Sequence, residues 1–128
     1  MRMKVRHEGG ARFTVCCRDH EVTMDQPEEN AGSNAGMTPP EFMAASLAGC
    51  IGFYVARYCE QAKIDPAGLE VDCDWQIGGE PRKFQRIEVA VTLPNMPENR
   101  RKAVERVAQS CLIHATLQHG TEMDIRIN

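Results

Sequence analysis

The sequence has no excess of basic residues, no membrane-length apolar run and no low-complexity tract. Its 15 lysines and arginines are outnumbered by 18 aspartates and glutamates, and a net charge of −3 gives no attraction to nucleic acid. The longest uncharged apolar run, residues 42–56, has 15 residues, fewer than the roughly 18–20 that span a bilayer. The N-terminus carries no apolar signal core. We therefore expect a cytoplasmic protein that binds neither membrane nor nucleic acid.

The composition is that of one folded domain covering residues 1–128. With 42% hydrophobic and 26% charged residues, the chain is too apolar and too nearly neutral for intrinsic disorder. Six cysteines are many for this length. Because we expect a reducing compartment, they indicate buried thiols, a metal site or a redox centre rather than a disulfide framework.

The first half of the chain predicts a hairpin, a loop and a long helix. Short apolar alternations over residues 3–22 are split by the turn residues Gly9 and Gly10. Residues 26–40 are rich in proline, glycine and asparagine and predict a loop. Thr38, followed by two prolines and Glu41, is typical of a helix start, and the helix should run to about Lys63.

This helix carries no charge between residues 42 and 56, so we expect protein to surround it on all sides. Small residues would let another backbone approach it closely. They are Ala45, Ala48, Gly49 and Gly52.

The second half predicts a hairpin, a helix and a last strand. Residues 69–77 and 87–93 alternate apolar and polar side chains, as expected of two paired strands with one buried face. Asn95 and Glu98 form an N-terminal capping pattern for a helix that ends near His119. A short apolar alternation follows, consisting of Met123, Ile125 and Ile127. The order predicts an α+β protein whose antiparallel strands cover two long helices.

Four of the cysteines have ordinary structural explanations. Cys73 lies on the apolar side of its strand, and Cys59 lies on the side of the long helix opposite Cys50. Cys16 and Cys17 are strand neighbours that point to opposite faces. Together with His20 they could form half of a zinc site, but no second ligand pair follows at the required spacing.

Cys50 and Cys111 leave two interpretations open. Cys50 lies between glycines in the uncharged helix, and Cys111 lies on the apolar face of the second helix, so each could be a core thiol. If the two helices cross at these positions, the Cα atoms could come within the roughly 4.4–6.8 Å that a disulfide requires.

Two motifs centred on these cysteines carry a family resemblance. The segment GSNAGMTPPEFMAASLAGC, residues 32–50, resembles the first-cysteine motif of the OsmC/Ohr superfamily, the osmotically inducible protein C and organic hydroperoxide resistance proteins. The segment CLIHATL, residues 111–117, resembles the second-cysteine motif of an OsmC-like branch, with Leu112 at a position where proline is common. The resemblance covers nearly the whole chain.

The resemblance implies an OsmC-like fold and an intertwined homodimer with two sites at the subunit interface. It also implies a thiol peroxidase that reduces organic hydroperoxides, with Cys50 as peroxidatic thiol and Cys111 as resolving thiol. Glu41 would hold an arginine from the N-terminal region, for which Arg12 is the closest match and Arg6 and Arg18 are alternatives.

The implied chemistry suits these residue types. A free cysteine with a pKa of about 8.5 is mostly protonated at neutral pH, and a neighbouring guanidinium would lower that pKa. A resolving thiol traps the sulfenic acid before further oxidation. His114, one turn after Cys111, could assist proton transfer or be structural. The resemblance implies no bound cofactor or metal, and an external dithiol reductant, either a dihydrolipoyl protein or a small thiol.

Two other functions fit the same residues. The first is a noncatalytic binding protein or redox sensor that holds an apolar ligand at the dimer interface. The second is a zinc-stabilised domain that uses Cys16, Cys17 and His20, or Cys111 and His114.

Overall fold

The computed structural model describes all residues from Met1 to Asn128. They form an α+β protein with two compact units, residues 1–43 and residues 44–128. The first unit contains a three-stranded sheet, and the second contains a two-stranded sheet and most of the helical residues.

The N-terminal sheet is an antiparallel meander of β1 (Lys4–Gly9), β2 (Arg12–Cys17) and β3 (His20–Met24). Gly9 and Gly10 have φ angles of 108° and 56°, which glycine adopts without strain, and they form the turn between β1 and β2. The predicted hairpin is therefore confirmed, and β3 extends it by a third strand.

A loop connects β3 to the long helix, and one buried carboxylate organises it. Asp25 is 1% exposed, and its side chain accepts hydrogen bonds from the N–H groups of Gln26, Ser33 and Ala35 and from the Ser33 hydroxyl, at 2.8–3.1 Å. The Asp25 N–H donates in turn to the Met37 carbonyl oxygen. These bonds fix the chain just before the helix begins.

Helix α1 (Pro39–Ala62) has the predicted bounds to within one residue. Its start is a capping box. The Thr38 N–H and hydroxyl both donate to Glu41 Oε2, at 2.6 and 2.9 Å, and the Glu41 N–H donates to Thr38 Oγ1 at 3.4 Å. Two N–H groups that the helix itself cannot satisfy are thereby paired.

The C-terminal unit packs α1 residues, β-strands and short helices around one apolar core. Strands β4 (Glu70–Gly78) and β5 (Lys83–Thr92) pair antiparallel, with Val71 opposite Val91 and Cys73 opposite Val89. The buried core consists of Leu47, Ile51, Val55, Cys59, Ile64, Leu93, Val104 and Cys111. The predicted hairpin is confirmed.

The prediction of a second long helix is wrong, because the helix breaks at Cys111. After a short 3-10 turn (Glu98–Arg100), the chain forms α2 (Arg101–Gln109) and then α3 (Leu112–His119). Cys111 has extended backbone angles, φ −67° and ψ 145°, and Sγ caps the start of α3. The apolar periodicity continues across the break, so periodicity alone could not reveal it.

The predicted capping role of Asn95 is also wrong. Its side chain donates to Asp65 Oδ2 at 3.2 Å, so it ties the end of the β5 segment to the loop after α1. The 3-10 turn follows Pro97 with no side-chain cap.

The predicted last strand is absent. Met123, Ile125 and Ile127 are 83–92% exposed, and residues 121–128 have no regular structure. A strand needs a neighbour to pair its backbone groups, and the single chain places none beside this segment.

Protein does not surround α1 on all sides in the single chain, and its coverage by a second subunit stays a prediction. Ala45, Gly49 and Phe53, which we call the α1 stripe, are exposed, Phe53 by 57%. By length and composition α1 could cross a membrane, but the core helices of soluble proteins meet the same criteria.

Candidate functional site

The structure brings Cys50 and Cys111 together. Cys50 lies on α1 and is partly buried, whereas Cys111 is 0% exposed and lies in the core of the same unit. Cys50 packs against the buried core that contains Cys111, and its thiol lies close enough to raise the pKa of Cys111. Both are free thiols, as are the other four cysteines. Two thiols in contact can exchange protons, and they can be joined by a disulfide when an oxidant removes two electrons.

Cys111 occupies the N-cap of α3. The His114 N–H donates to Cys111 Sγ over 3.1 Å, and the Ile113 amide also stabilises negative charge on that sulfur. Burial raises the pKa of the Cys111 thiol, the two amides oppose that rise, and contact with Cys50 raises it further. The net direction is upward, so the reduced Cys111 is a protonated thiol whose sulfur already accepts a hydrogen bond from the His114 N–H.

The His114 side chain closes the turn around Cys111. Its ring Nδ1–H donates to the Gln109 carbonyl oxygen over 2.7 Å, which links the last residue of α2 to the first turn of α3. Backbone and ring of His114 thus act on the same short segment, residues 109–114. In the neutral imidazole the proton is therefore on Nδ1, and Nε2 carries none and can accept a hydrogen bond.

An apolar cavity of about 460 Å³ lies in the same unit, and His114 contributes to its wall. Residues from α1, β5, α2 and α3 line it, including Leu47, Ile51, Val89 and Leu117. Polar side chains lie among them, in particular Gln109 and Gln118. This volume and lining suit a small, mainly apolar organic molecule.

Glu41 belongs to the capping box at the start of α1. Hydrogen bonds from the Thr38 N–H, which has the larger effect, and from the Thr38 hydroxyl lower the pKa of the Glu41 carboxyl from its usual value. Glu41 is therefore a carboxylate at neutral pH. Both bonds use Oε2. The expected pairing of Glu41 with an arginine stays a prediction.

The three candidate arginines differ in what they already contact. Arg6 forms an exposed ion pair with Glu21 at 3.6 Å, and Arg18 lies in the β2–β3 turn with a φ of 54°. Arg12 is exposed at the start of β2 and forms no ion pair in the structure. Arg6 is thus already paired, whereas Arg12 and Arg18 form no ion pair.

The remaining cysteines lie elsewhere. Cys16 Sγ donates to Glu21 Oε2 over 3.4 Å, and Cys17 is paired with His20 across the β2–β3 turn, on the two sides of a two-residue connection. Cys59 is fully buried, and burial raises the pKa of its thiol. The structure contains no group of three or more histidine, cysteine or carboxylate side chains placed to hold a metal ion.

Sequence reasoning missed Asp25. Four hydrogen bonds lower the pKa of its carboxyl to about 2, and those from the Gln26 and Ala35 N–H groups have the largest effect. No periodicity or spacing marks an aspartate that is buried by a loop. The available signal was its place, directly before Gln26 and Pro27 at the start of a glycine-rich loop.

Comparison with family models identifies the chain. The model described as OsmC-like protein matches residues 32–126. The chain belongs to the OsmC-like family. The matched region starts in the loop before α1 and includes Glu41, Cys50 and Cys111. No protein with a curated description matches this OsmC-like chain.

Solved structures share the OsmC-like fold at low sequence identity. A protein assigned to osmotic stress and detoxification response in Psychrobacter arcticus has a TM-score of 0.81 and 22% identity over 89% of this chain and 85% of its own. An OsmC-like protein from Mycoplasma pneumoniae has a TM-score of 0.77 and 17% identity over 93% of this chain and 87% of its own. An organic hydroperoxide resistance protein from Elizabethkingia anophelis has a TM-score of 0.69 and 20% identity over 92% of this chain and 87% of its own. The fold expected from the two cysteine motifs is therefore confirmed.

Proposed function

We propose that this OsmC-like protein is a cysteine peroxidase that reduces organic hydroperoxides. One observation carries the proposal. Cys50 packs against the buried core that contains Cys111 and raises the pKa of its thiol, and each cysteine lies in one of the two motifs that resemble the OsmC/Ohr cysteine motifs. Structural neighbours named organic hydroperoxide resistance proteins support the same reaction class.

The first step takes place at Cys50. This cysteine is the accessible member of the pair, because it is partly exposed and Cys111 is not exposed at all. The Cys50 thiolate attacks the terminal oxygen of ROOH, an S–O bond forms and the O–O bond breaks. The alkoxide takes a proton and leaves as ROH, and Cys50 is oxidised to a sulfenic acid.

The second step uses Cys111. Its sulfur attacks the Cys50 sulfenic acid, an S–S bond forms, and the hydroxyl leaves as water with the proton of the Cys111 thiol. The amides of Ile113 and His114 stabilise the negative charge that develops on Cys111 when that proton is lost. Two equivalents of an external thiol, or one dithiol such as a dihydrolipoyl group, then restore both cysteines.

We propose Arg12 as the residue that stabilises the Cys50 thiolate and the departing oxygen, held by Glu41. Arg6 is engaged by Glu21, whereas Arg12 forms no ion pair, and Glu41 is ionised and offers its second oxygen, Oε1. Arg12 is chosen over Arg18 because it is the closer match to the arginine that the family resemblance implies.

We also propose a homodimer in the cytoplasm. The exposed α1 stripe and the exposed apolar residues near the C-terminus would be covered by a second copy. Exposed apolar surface of this kind costs free energy in water, at about 25 cal/mol per Å².

Peroxide turnover by pre-reduced protein tests the proposal. We expect consumption of cumene and tert-butyl hydroperoxide, loss of two thiols and a two-proton decrease in intact mass. Cys50→Ser should abolish the reaction, and Cys111→Ser should convert Cys50 to a sulfinic acid. Cys16→Ser, at a thiol of the N-terminal sheet that donates to Glu21, is the matched control and should keep full activity. A rate no higher than that of a free model thiol would refute the peroxidase.

The cavity favours a second candidate, a noncatalytic carrier or sensor of an apolar ligand. It measures about 460 Å³ and is lined mainly by aliphatic side chains. If peroxide turnover fails, an increase in Tm on adding apolar ligands, lost in an Ile51→Trp variant that fills the cavity, would support this candidate.

A further inference from the structure

Cys50 and Cys111 differ in how an external thiol could reach them. Cys111 is 0% exposed, and Cys50 is partly exposed on α1. Assembly with any further chain can only reduce exposure, so Cys111 stays inaccessible in every state that keeps this core.

The two sulfurs also differ in what stabilises a negative charge on them. The His114 N–H lies 3.1 Å from Cys111 Sγ and donates to it, and the Ile113 amide acts in the same direction. In a thiol–disulfide exchange one sulfur is attacked and the other leaves with the electron pair. The leaving sulfur departs faster where hydrogen bonds stabilise its thiolate.

The turn that supplies these amides is held in place independently of the sulfur. The His114 ring donates to the Gln109 carbonyl oxygen over 2.7 Å, and the Ser110 hydroxyl donates to the Arg106 carbonyl oxygen over 2.7 Å. The donors are therefore preorganised before any disulfide breaks, and no reorganisation of the turn is needed.

We infer that an external thiol reduces the Cys50–Cys111 disulfide by attacking Cys50, and that Cys111 is the leaving sulfur. The thiolate RS⁻ forms a bond to Cys50 Sγ, the Cys50–Cys111 S–S bond breaks, and its electron pair stays on Cys111, which then takes a proton. A second thiol attacks the mixed disulfide on Cys50, releases RSSR and leaves Cys50 reduced. The mixed disulfide thus forms on α1 in preference to the α2–α3 turn.

This inference deepens the proposed function, since it specifies how that site is regenerated, and its test does not use peroxide. Diamide oxidises the reduced protein to the disulfide, and excess diamide is removed. A short exposure to 2-mercaptoethanol follows, with acid quenching and alkylation of free thiols by N-ethylmaleimide under denaturing conditions. Trypsin separates the sites, because residues 19–57 contain only Cys50 and residues 107–126 contain only Cys111.

We expect the mercaptoethanol adduct on the peptide 19–57 and N-ethylmaleimide on the peptide 107–126, with at least about a tenfold preference. An adduct on Cys111 in equal or greater yield would overturn the inference, and so would failure of diamide to form the Cys50–Cys111 disulfide. A Cys16→Ser, Cys17→Ser double variant should give the same adduct ratio. Peroxide inactivity combined with the expected adduct would refute the peroxidase and leave this inference standing.

Discussion

The backbone N–H of His114 donates to Cys111 Sγ over 3.1 Å, and the His114 ring donates to the carbonyl oxygen of Gln109 over 2.7 Å. One residue therefore both supplies a donor to the buried sulfur and closes the turn that presents this sulfur to Cys50. The α2–α3 break, which the helical periodicity does not show, is what turns Cys111 from a core residue on a helix face into a capped thiol.

Replacing the His114 ring should loosen this turn. His114→Ala removes the hydrogen bond to Gln109, which costs about 1 kcal/mol of the free energy of unfolding. Cys111 should then meet the Cys50 sulfenic acid more slowly, so more Cys50 reaches the sulfinic acid at a given peroxide concentration. Intact mass after peroxide addition measures the sulfinic acid fraction, and urea unfolding measures stability.

His114→Asn is the matched control, because its amide nitrogen can replace the Nδ1–H donor. We expect it to restore the disulfide yield to near that of the wild type. A His114→Asn variant as defective as His114→Ala would show that the ring acts through something other than the bond to Gln109.

Asp25 should make the stability of the protein depend on pH in the acid range. Four hydrogen bonds lower the pKa of its carboxyl from 3.8 to about 2 in the folded protein. A lowered folded-state pKa stabilises the protein fully above the unfolded value, and this stabilisation is lost as the pH falls from about 4 to about 2. Thermal unfolding of wild type and Asp25→Asn across this range measures the effect.

In that experiment Asp25→Asn should have a lower Tm at pH 7 and a weaker dependence of Tm on pH below pH 4. Asp72→Asn, on the exposed face of β4, is the control and should behave as the wild type. Equal acid sensitivity of wild type and Asp25→Asn would mean that Asp25 does not hold the loop.

Glycine at position 36 is required by a close backbone approach. A Cβ on Gly36 would overlap the carbonyl oxygen of Thr23, and backbone atoms cannot move aside cheaply. We expect Gly36→Ala to destabilise the protein by about 3 kcal/mol or more. Gly10→Ala is the control, since a Cβ there meets only the Ala31 carbonyl oxygen at 3.9 Å, and the left-handed φ of 56° costs about 1–2 kcal/mol. Similar Tm values for the two variants would contradict this.

The parts of this fold that local signals specify were predictable from the sequence. The start of α1 follows from Thr38, the prolines after it and Glu41, and the β4–β5 hairpin follows from an alternation that needs only its neighbour in the chain. Features that depend on distant contacts were not predictable. The periodicity of the α2–α3 region continues through Cys111, although the chain breaks there.

Two other outcomes have the same physical explanation. Ile125 and its neighbours have the alternation of a strand, but a strand forms only beside a partner, and the single chain provides none. Asp25 is buried because a loop of ten residues folds its N–H groups onto one carboxylate, and no pattern in the sequence marks such a centre. The proximity of Cys50 and Cys111 was one of two alternatives that the sequence left open, the other being two separate core thiols.

The α1 stripe should determine the oligomeric state. Phe53 is 57% exposed, contacts Tyr54 edge-on and lies beneath the Arg57 guanidinium at 5.8 Å. If a second copy covers this face, Phe53→Lys buries an unpaired ammonium at the interface and should weaken the dimer at least about tenfold. Glu60→Lys, an exposed charge further along α1, should not. Sedimentation equilibrium at micromolar concentration measures the mass of the wild type and of both variants, and circular dichroism checks that each is folded. A wild-type mass of 14.3 kDa would refute the dimer. A wild-type dimer that Phe53→Lys leaves intact would place the interface on another face of the chain.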